Sequence, residues 1–291
     1  MHDKVTNPES QLKPAMCLAV ALLLLGCSPA ETDAAVAVDG AQPLGQEDGF
    51  NLVFNDEFDT QTLNRLKWTR CYWWDKQGCT NLSNNNLQWY MRDNVTVEDG
   101  KLVLTARPET VVGWEGRKFP YTSGMVTSGR YYAEHPSASR FDATYGFFEM
   151  RAKIPAGQGL WPAFWLLPSK HESLPEIDIM EVLGHDPSLL ELHFHYRNSA
   201  GEKRSAGYAV RTTNLSQGWH TYGVDWSPEH IIWYLDGQEV WRFSDRSRIP
   251  NEPMYMIVNL AVGGDWPGNP DETTRFPARM EVDYIRAWSH E

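Results

Sequence analysis

Short apolar or alternating runs, separated by turn residues, dominate the sequence from Phe50 onward. Such runs are typical of β-strands, and we find no long amphipathic helical pattern in this part of the chain. The clearest of them read KLVLTA, YGFFEMRAKI, HTYGVDW, IIWYLDG, MYMIVNLAV and MEVDYIRAW. Many short strands at this spacing predict an all-β sandwich.

The segment YLDGQEV predicts a tight β-hairpin. Asp236 and Gly237 stand between two strand-like runs, and Asp-Gly supplies the positive φ that a two-residue hairpin turn requires. The final apolar run reaches almost to the last residue. We therefore expect the last strand to belong to a core sheet.

The composition favours a large core and an uncharged ligand. Hydrophobic residues make up 42% of the chain, which includes 13 Trp. Trp offers broad apolar faces, so this number indicates either a heavy core or flat ligands stacked on indole rings. The formal net charge is -12, and no Lys/Arg cluster is visible. Nucleic acids, anionic membrane surfaces and acidic polymers are therefore disfavoured as partners.

The N-terminal residues resemble an export signal. The apolar run from Cys17 to Cys27 is too short to cross a bilayer as a helix and fits a signal peptide. It ends in Leu-Leu-Gly-Cys, which resembles a bacterial lipobox and predicts cleavage before Cys27 and lipidation of that cysteine. A plain signal peptide cut nearby is the alternative. We expect a lipoprotein-type signal over residues 1–27 and an exported protein that meets the membrane only through its lipid anchor.

A flexible tether is predicted over residues 28–49, which are small, polar and contain Pro and Gly. The remaining residues, 50–291, form the predicted domain. Cys71 and Cys79 lie within it, and in an exported protein two such cysteines are expected to pair and close a short loop. Two free thiols are the alternative.

Three carboxylates of one sign interrupt the apolar segment PEIDIMEVLG. Charged groups in apolar surroundings are costly unless they are paired or hydrogen-bonded. Successive side chains of a strand alternate between faces, so Glu176 and Asp178 share a face and Glu181 points away from it. A β-bulge around Ile179 and Met180 would return Glu181 to the face of the other two.

With that bulge, the spacing fits glycoside hydrolysis. Glu176 and Glu181 would then be ~13 Å apart along the strand, and two side chains leaning together leave a gap of about 5 Å. Retaining glycosidases hold their two carboxyl groups at this separation, whereas inverting enzymes need a wider gap. Asp178 could hydrogen-bond to one Glu and tune its pKa. Cross-strand salt bridges or a solvated strand face remain open as alternatives from spacing alone.

Several segments together resemble glycoside hydrolase family 16, and in particular its laminarinase-like members. EIDIME is similar to the bulged active-site strand of that group. The other matching segments follow in order between Phe50 and Trp288: FNDEFD, NNLQWY, YTSG, YGFFEMRAKIPAGQGLWPAFWLLP, HTYGVDWSPEHIIWYLDG, NLAVGGDWPGNP and VDYIRAW.

The resemblance implies a β-jelly-roll sandwich of two curved antiparallel sheets, with a substrate cleft on the concave face. It also implies retaining hydrolysis of internal β-glycosidic bonds. By position, Glu176 matches the nucleophile, Glu181 the general acid/base and Asp178 the assisting acid. No cofactor is implied for catalysis.

The resemblance also indicates which residues line the cleft. Trp161 matches a substrate-platform Trp, while Trp165 fits the core equally well. Trp266, on the Gly-rich loop GGDWPG, favours a platform. The family often carries a cleft-facing His on the strand after the active one, a place that His195 fits somewhat better than His193. Relatives usually carry Glu where Asn86 stands, so a sugar contact by Asn86 is a weaker expectation.

Many members of the family bind a structural calcium on the convex side. Asp283 and the carbonyl of Gly100 match that site, with Glu57 as a further candidate ligand. Oxygen donors of this kind suit calcium, which would stabilise the fold rather than take part in the chemistry.

The sequence therefore predicts an endo-β-1,3-glucanase that acts on laminarin-type glucan, most simply as a monomer. A β-1,3-1,4-glucanase (lichenase) is the nearest alternative. A transglycosylase on the same fold and a sugar-binding protein without catalysis stay open as further alternatives.

Overall fold

We describe a computed structural model of the chain over residues 40–74, 78–130, 139–170 and 173–291. The predicted signal peptide over residues 1–27, its lipidated Cys27 and the tether up to residue 39 lie outside these ranges. Within them, no helix has the length and apolar character needed to cross a membrane.

β-Strands are the dominant regular elements of the described residues. The helical elements found there are three single 3-10 turns, at Leu82–Asn84, Arg92–Asn94 and Trp114–Gly116. The strands are β1 Phe50–Asp56, β2 Gln88–Tyr90, β3 Val95–Glu98, β4 Lys101–Ala106, β5 Val111–Val112, β6 Lys118–Phe119, β7 Tyr121–Ser123, β8 Met125–Thr127, β9 Gly146–Lys153, β10 Leu160–Pro168, β11 Glu176–Glu181, β12 Leu189–Arg197, β13 Lys203–Arg211, β14 His220–Trp226, β15 Ile231–Leu235, β16 Gln238–Phe243, β17 Met254–Val262 and β18 Ala278–His290.

Two large antiparallel sheets form a sandwich. The eight-stranded sheet runs β16-β15-β14-β9-β18-β4-β3, with β1 also paired to β18, and the six-stranded sheet runs β13-β12-β11-β10-β17-β8. Two small sheets, β2 with β7 and β5 with β6, lie beside them. The predicted all-β sandwich is confirmed, and this two-sheet arrangement is that of a jelly-roll.

The hydrophobic core lies between the two large sheets. One face of each strand points inward, so alternate residues of both sheets meet there. Four Trp side chains are buried, Trp68, Trp226, Trp233 and Trp288, so part of the high Trp content serves the core. The residues that fill the layer include Leu102, Leu104, Phe148, Met150, Phe164, Leu166, Ile177, Val182, Val224, Met256 and Val258.

The predicted hairpin at YLDGQEV is confirmed. Leu235 pairs with Gln238 across a two-residue turn, and Asp236 and Gly237 have φ values of 49° and 76°. The last strand, β18, pairs with β1, β4 and β9 in the middle of the eight-stranded sheet. It is therefore a core strand, as its position in the sequence predicted.

The structure shortens the predicted tether. Residues 40–49 lie against the domain instead of forming a free linker: the Trp288 indole N–H donates to the carbonyl of Ala41 at 2.6 Å, and the Leu44 N–H donates to Glu149 Oε2 at 2.9 Å. Glu149 is buried and also accepts the Tyr284 hydroxyl at 2.8 Å. The buried carboxylate needs these donors, which is why the segment is held there.

Two histidines that contact the same carboxylate, Asp225, predict a stability that depends on pH. His290 Nε2 lies 2.6 Å from Asp225 Oδ1, and His230 Nε2 lies 3.2 Å from the other oxygen. The hydrogen bond to Asp225 raises the pKa of His290, against an opposing effect of burial. A raised folded-state pKa stabilises the protein below the unfolded pKa of about 6.5, and this stabilisation is lost as pH rises through the folded pKa.

We therefore expect His290→Asn to lower Tm more at pH 6 than at pH 9. Thermal unfolding of both proteins across this range measures the difference. His185→Asn, at an exposed position, is the matched control and should show no such trend. An equal loss of Tm for His290→Asn at both pH values would contradict the prediction.

Candidate active site

A β-bulge in β11 brings the three carboxylates to one face. Asp178 pairs with His193 of β12 and Glu181 pairs with Glu191, so three steps along β11 match two along β12. The register against β10 shifts at the same place. The predicted bulge is present, and the extra residue returns Glu181 to the side of Glu176 and Asp178.

A side chain of the eight-stranded sheet binds the backbone of the bulged strand on its core side. The Trp233 indole N–H, on β15, crosses the core and donates to the backbone carbonyl of Asp178 at 2.8 Å. Ile177, Ile179 and Met180 are buried in the core on the same side. The apolar half of the segment thus anchors the strand while the acidic half faces outward.

The three carboxylates line a cleft of about 600 Å³ on the outer face of the six-stranded sheet. This volume suits a small ligand or one section of a longer chain. Among the described residues that line it are Tyr72, Trp74, Asn86, Trp161, Trp165, Glu176, Asp178, Glu181, His193, His195, Lys203, Asn259 and Trp266.

Glu181 is held by two hydrogen bonds. The Trp161 indole N–H donates to Glu181 Oε1 at 3.2 Å, and His193 Nδ1 lies 2.9 Å from Oε2. Burial lowers the pKa of His193, but its hydrogen bond to Glu181 and the nearby negative charges outweigh this and raise the pKa above the ordinary value. Together the two hydrogen bonds orient the Glu181 carboxyl group in the cleft.

Burial and neighbouring negative charges raise the pKa values of Glu176 and Asp178. Burial raises the pKa of Glu176 well above its usual range, and the negative charge of Asp178 raises it further. Burial likewise raises the pKa of Asp178, and the charge of Glu181 adds to the effect. Because crowded buried carboxylates of one sign cannot all ionise together, one proton is shared within the group.

Both candidate histidines lie in the cleft, although His195 was favoured over His193. His195, on β12, pairs with Glu176 of β11, and its Nε2 lies 3.2 Å from Asp178 Oδ2. The two imidazole rings are stacked with centroids 5.6 Å apart. His193 contacts Glu181 and His195 contacts Asp178, so each histidine faces a different carboxylate.

Trp161 and Trp266 form one aromatic wall of the cleft. Their rings meet edge to face at a centroid distance of 5.3 Å, and Trp266 is 40% exposed. The loop that carries Trp266 depends on Gly263 and Gly264, which have φ values of 68° and 124°. A Cβ at either position would clash with the loop before β2, so the two glycines allow the loops to pack together.

Asn86 links these two loops. Its side chain is 3% exposed, and its amide N–H donates to the carbonyl of Gly263 at 3.0 Å. Asn86 is among the residues that line the cleft, and it also holds the loop of Trp266 in place; its predicted sugar contact stays a prediction.

Trp165 lines the cleft and does not point into the main core. Its indole N–H donates to Asn259 Oδ1 at 2.8 Å, and its ring lies 6.1 Å from the ring of Tyr72. Tyr72 in turn lies 4.9 Å from Trp74. These three rings form a second aromatic wall.

The loop that supplies Tyr72 and Trp74 is closed by a disulfide between Cys71 and Cys79. This pairing was predicted from the sequence, but the aromatic residues of the loop were not assigned to the cleft. The only sequence signal was the CYWWD cluster beside the first cysteine. Asn259 and Lys203 were also missed, because polar residues on strands carry no signal that distinguishes a cleft from solvent.

The two carboxylates among the proposed calcium ligands are each paired with an arginine. Asp283 Oδ2 accepts a hydrogen bond from Arg151 at 2.6 Å, and Glu57 accepts two from Arg286 at 2.8 and 2.9 Å. Gly100 lies in the turn between β3 and β4. Since guanidinium groups already neutralise both carboxylates, this donor set does not fit a divalent cation as it stands.

Comparison with protein-family models matches residues 83–286 to the family described as "Glycosyl hydrolases family 16". The chain belongs to glycoside hydrolase family 16. The match spans the bulged strand and both cleft histidines, so the family assignment and the geometry of the cleft concern the same residues.

Two relatives are named as a glycanase and a glucanase. The chain is 39% identical to "Endo-1,3-1,4-beta-glycanase EglC" of Rhizobium meliloti (strain 1021), over 81% of this chain and 51% of that protein. It is 33% identical to a "Beta-glucanase" of Rhodothermus marinus, over 97% of this chain and 98% of the relative. The chain thus spans about half the length of the first of these.

Solved structures show the same fold. The laminarinase catalytic domain from Thermotoga maritima MSB8 has a TM-score of 0.73 and 33% identity, covering 84% of this chain and all of that one. The endo-beta-1,3-glucanase from Pyrococcus furiosus has a TM-score of 0.70 and 33% identity, covering 83% and 95%. These similarities confirm the family and the all-β jelly-roll fold that the sequence resemblance implied.

Proposed function

We propose that this protein is a retaining endo-β-glucanase that cleaves internal β-1,3-glucosidic bonds of laminarin-type glucan. The observation that carries the proposal is the bulge in β11, which presents Glu176, Asp178 and Glu181 together in one aromatic-walled cleft. A solvated strand face, the alternative reading of these acids, would not bury Asp178 and Glu181 to 2% and 8% exposure.

Glu176 is assigned the nucleophile in this proposal. Its carboxylate oxygen attacks the anomeric carbon, the bond from that carbon to the glycosidic oxygen breaks, and a glycosyl ester forms on Glu176. Attack requires the ionised form. If the shared proton resides on Asp178, Asp178 can donate a hydrogen bond to Glu176 and leave its attacking oxygen charged.

Glu181 is assigned the general acid/base. It first donates its proton to the departing glycosidic oxygen, and in the second half of the reaction it removes a proton from water, whose oxygen displaces Glu176 from the anomeric carbon. The hydrogen bonds from Trp161 and His193 orient its carboxyl group for both steps. His195 would assist in positioning Asp178.

The walls of the cleft support an uncharged glucan as the substrate. Apolar faces of sugar rings can stack on Trp161, Trp266 and Trp165, and Lys203 is the one Lys or Arg among the described residues that line the cleft. This favours an uncharged glucan. Mixed-linkage β-1,3-1,4-glucan is the second candidate, because a relative that is 39% identical carries that linkage in its name.

A substrate panel tests the proposal. We expect reducing ends from laminarin, less from lichenan, and a β-configured product first in a proton NMR time course, because two displacements retain configuration. Release from lichenan alone would favour the mixed-linkage alternative. Products longer than the substrate would indicate a transglycosylase, and tight binding without any cleavage would indicate a sugar-binding protein.

The second aromatic wall predicts a specificity effect. Trp74→Ala removes a ring from the disulfide-closed loop, and losing one stacking contact of ~1 kcal/mol should raise KM about fivefold. The rise should appear for long laminari-oligosaccharides and vanish for the shortest ones that are cleaved. Trp114→Ala removes an exposed indole that does not line the cleft and serves as the matched control. Equal effects of Trp74→Ala on all chain lengths would argue against a subsite there.

The family resemblance predicts a structural calcium, whereas the ion pairs of its carboxylate ligands predict that none binds. Because Arg151 and Arg286 occupy the two carboxylates, we expect no rise in Tm when millimolar calcium replaces EDTA. Thermal unfolding in both buffers measures this. A calcium-dependent rise in Tm that Asp283→Asn abolishes would instead establish the site, since ligands that bind only the folded state stabilise it.

Export and lipid anchoring through Cys27 are also proposed. The motif before Cys27 supports the anchor, and the disulfide between Cys71 and Cys79 suits an oxidising compartment. Labelling of cells with a palmitate analogue should mark the protein but not its Cys27→Ser variant. Labelling of both to the same extent would refute the anchor.

A further inference from the structure

We propose that Asp178, His193 and His195 form a binding site for a divalent transition-metal ion such as Zn²⁺, and that the bound ion blocks the cleft. The binding half of this inference stands on the geometry of the three side chains. The blocking half rests on the proposed glucanase function.

The three side chains already converge. One ligand atom from each lies within 4.8 Å of the others, and His195 Nε2 is 3.2 Å from Asp178 Oδ2. Zinc binds such ligands at ~2.1 Å, which places tetrahedral donor atoms ~3.4 Å apart. Small side-chain rotations therefore suffice to close the site around an ion.

An unsatisfied buried oxygen points into this cluster. Asp178 is 2% exposed, and its Oδ2 has no hydrogen-bond partner among the described residues. His195 Nε2 is near but not in hydrogen-bonding geometry with it. Buried polar atoms in native proteins normally have a partner, and a cation would supply one here.

The donor types select the class of ion. Imidazole nitrogens suit Zn²⁺, Ni²⁺ and Cu²⁺, whereas Mg²⁺ and Ca²⁺ prefer oxygen donors alone. Two histidines by themselves are too few for a zinc site, and the bulged strand supplies the third ligand as Asp178. Both imidazoles are partly exposed, at 21% and 35% of their side chains, so a fourth position opens toward the cleft.

An ion at this place would occupy groups that the proposed reaction needs. It would engage His193, which contacts Glu181, and fix Asp178, which otherwise shares a proton with Glu176. A sugar ring over the carboxylates would also meet the ion. Zinc is therefore expected to compete with the glucan.

Isothermal titration of metal-free protein with ZnCl₂ tests the binding half. We expect a single site per chain, no response to MgCl₂ or CaCl₂, and affinity weakened by ~10-fold or more in His195→Asn and in Asp178→Asn. His185→Asn, an exposed histidine outside the cleft lining, is the matched control. Circular dichroism establishes that each variant is folded. Unchanged zinc affinity in folded His195→Asn would overturn the proposed site.

A competition titration tests the blocking half without any turnover. In Glu176→Gln, saturating laminari-oligosaccharide should weaken zinc binding by ~10-fold or more, since both need the same cleft. Equal zinc affinity with and without the sugar would overturn the blocking role. If zinc binds as proposed but the wild-type protein cleaves no glucan, the metal site stands and the proposed function fails.

Discussion

Glu176→Gln is expected to reduce laminarin hydrolysis by at least ~10³-fold, because removal of a catalytic nucleophile typically costs several orders of magnitude. The amide has nearly the same shape as the carboxylate but cannot attack the anomeric carbon. Its replacement also removes one buried acid from the group it shares with Asp178, so the variant should fold at least as stably as the wild type. Initial rates of reducing-end release and thermal unfolding measure both effects.

Glu272→Gln, at an exposed position, is the matched control and should retain full activity. A smaller side chain at position 176 allows a second test. Glu176→Gly with an activated aryl substrate and azide should regain turnover and give the α-glycosyl azide, because the small anion attacks from the face that Glu176 vacated. A β-azide, or activity in Glu176→Gln near that of the wild type, would refute the assignment of the nucleophile.

The central irregularity of the site could be predicted from the sequence. Glu181 stands at an odd separation from Glu176 in a strand, so the three acids could share a face only if one extra residue intervened. The structure has that residue in the predicted place. Side-chain parity is a local property of one strand, so it can be predicted from the sequence without knowledge of the neighbouring strands.

Contacts between distant segments could not be predicted in this way. The link between His193 and Glu181 depends on the register of β12 against a bulged β11, which the sequence does not state. Asp283 and Glu57 were proposed as calcium ligands, but the arginines that pair with them come from β9 and β18. Such pairings are set by the packing of whole sheets, and residue types alone do not reveal them.

The end of the predicted tether shows the same limit. Residues 40–49 have the small and polar composition of a linker, yet they are held through backbone groups that meet Trp288 and Glu149. Backbone donors and acceptors are present in every residue, so composition gives no sign of where they will bind. The acid at position 149, placed directly between Phe148 and Met150, was the only available clue.

Glu181→Gln is expected to slow the cleavage of substrates whose leaving group needs a proton and to spare those whose leaving group does not. Departure of a sugar hydroxyl needs protonation, so hydrolysis of laminarin should fall by ~10²–10⁴-fold. A dinitrophenolate leaves without a proton, so formation of the glycosyl ester from a dinitrophenyl laminari-oligosaccharide should be nearly as fast as in the wild type.

The second half of the reaction lacks its base in this variant, so the ester should accumulate. Stopped-flow measurements should show a burst of about one dinitrophenolate per chain followed by slow turnover, and intact mass spectrometry should detect the glycosylated protein. Glu176→Gln, which cannot form the ester, should give no burst with the same substrate. Equal losses on laminarin and on the activated substrate would mean that Glu181 is not the proton donor, because only a proton donor makes the rate depend on the leaving group in this way.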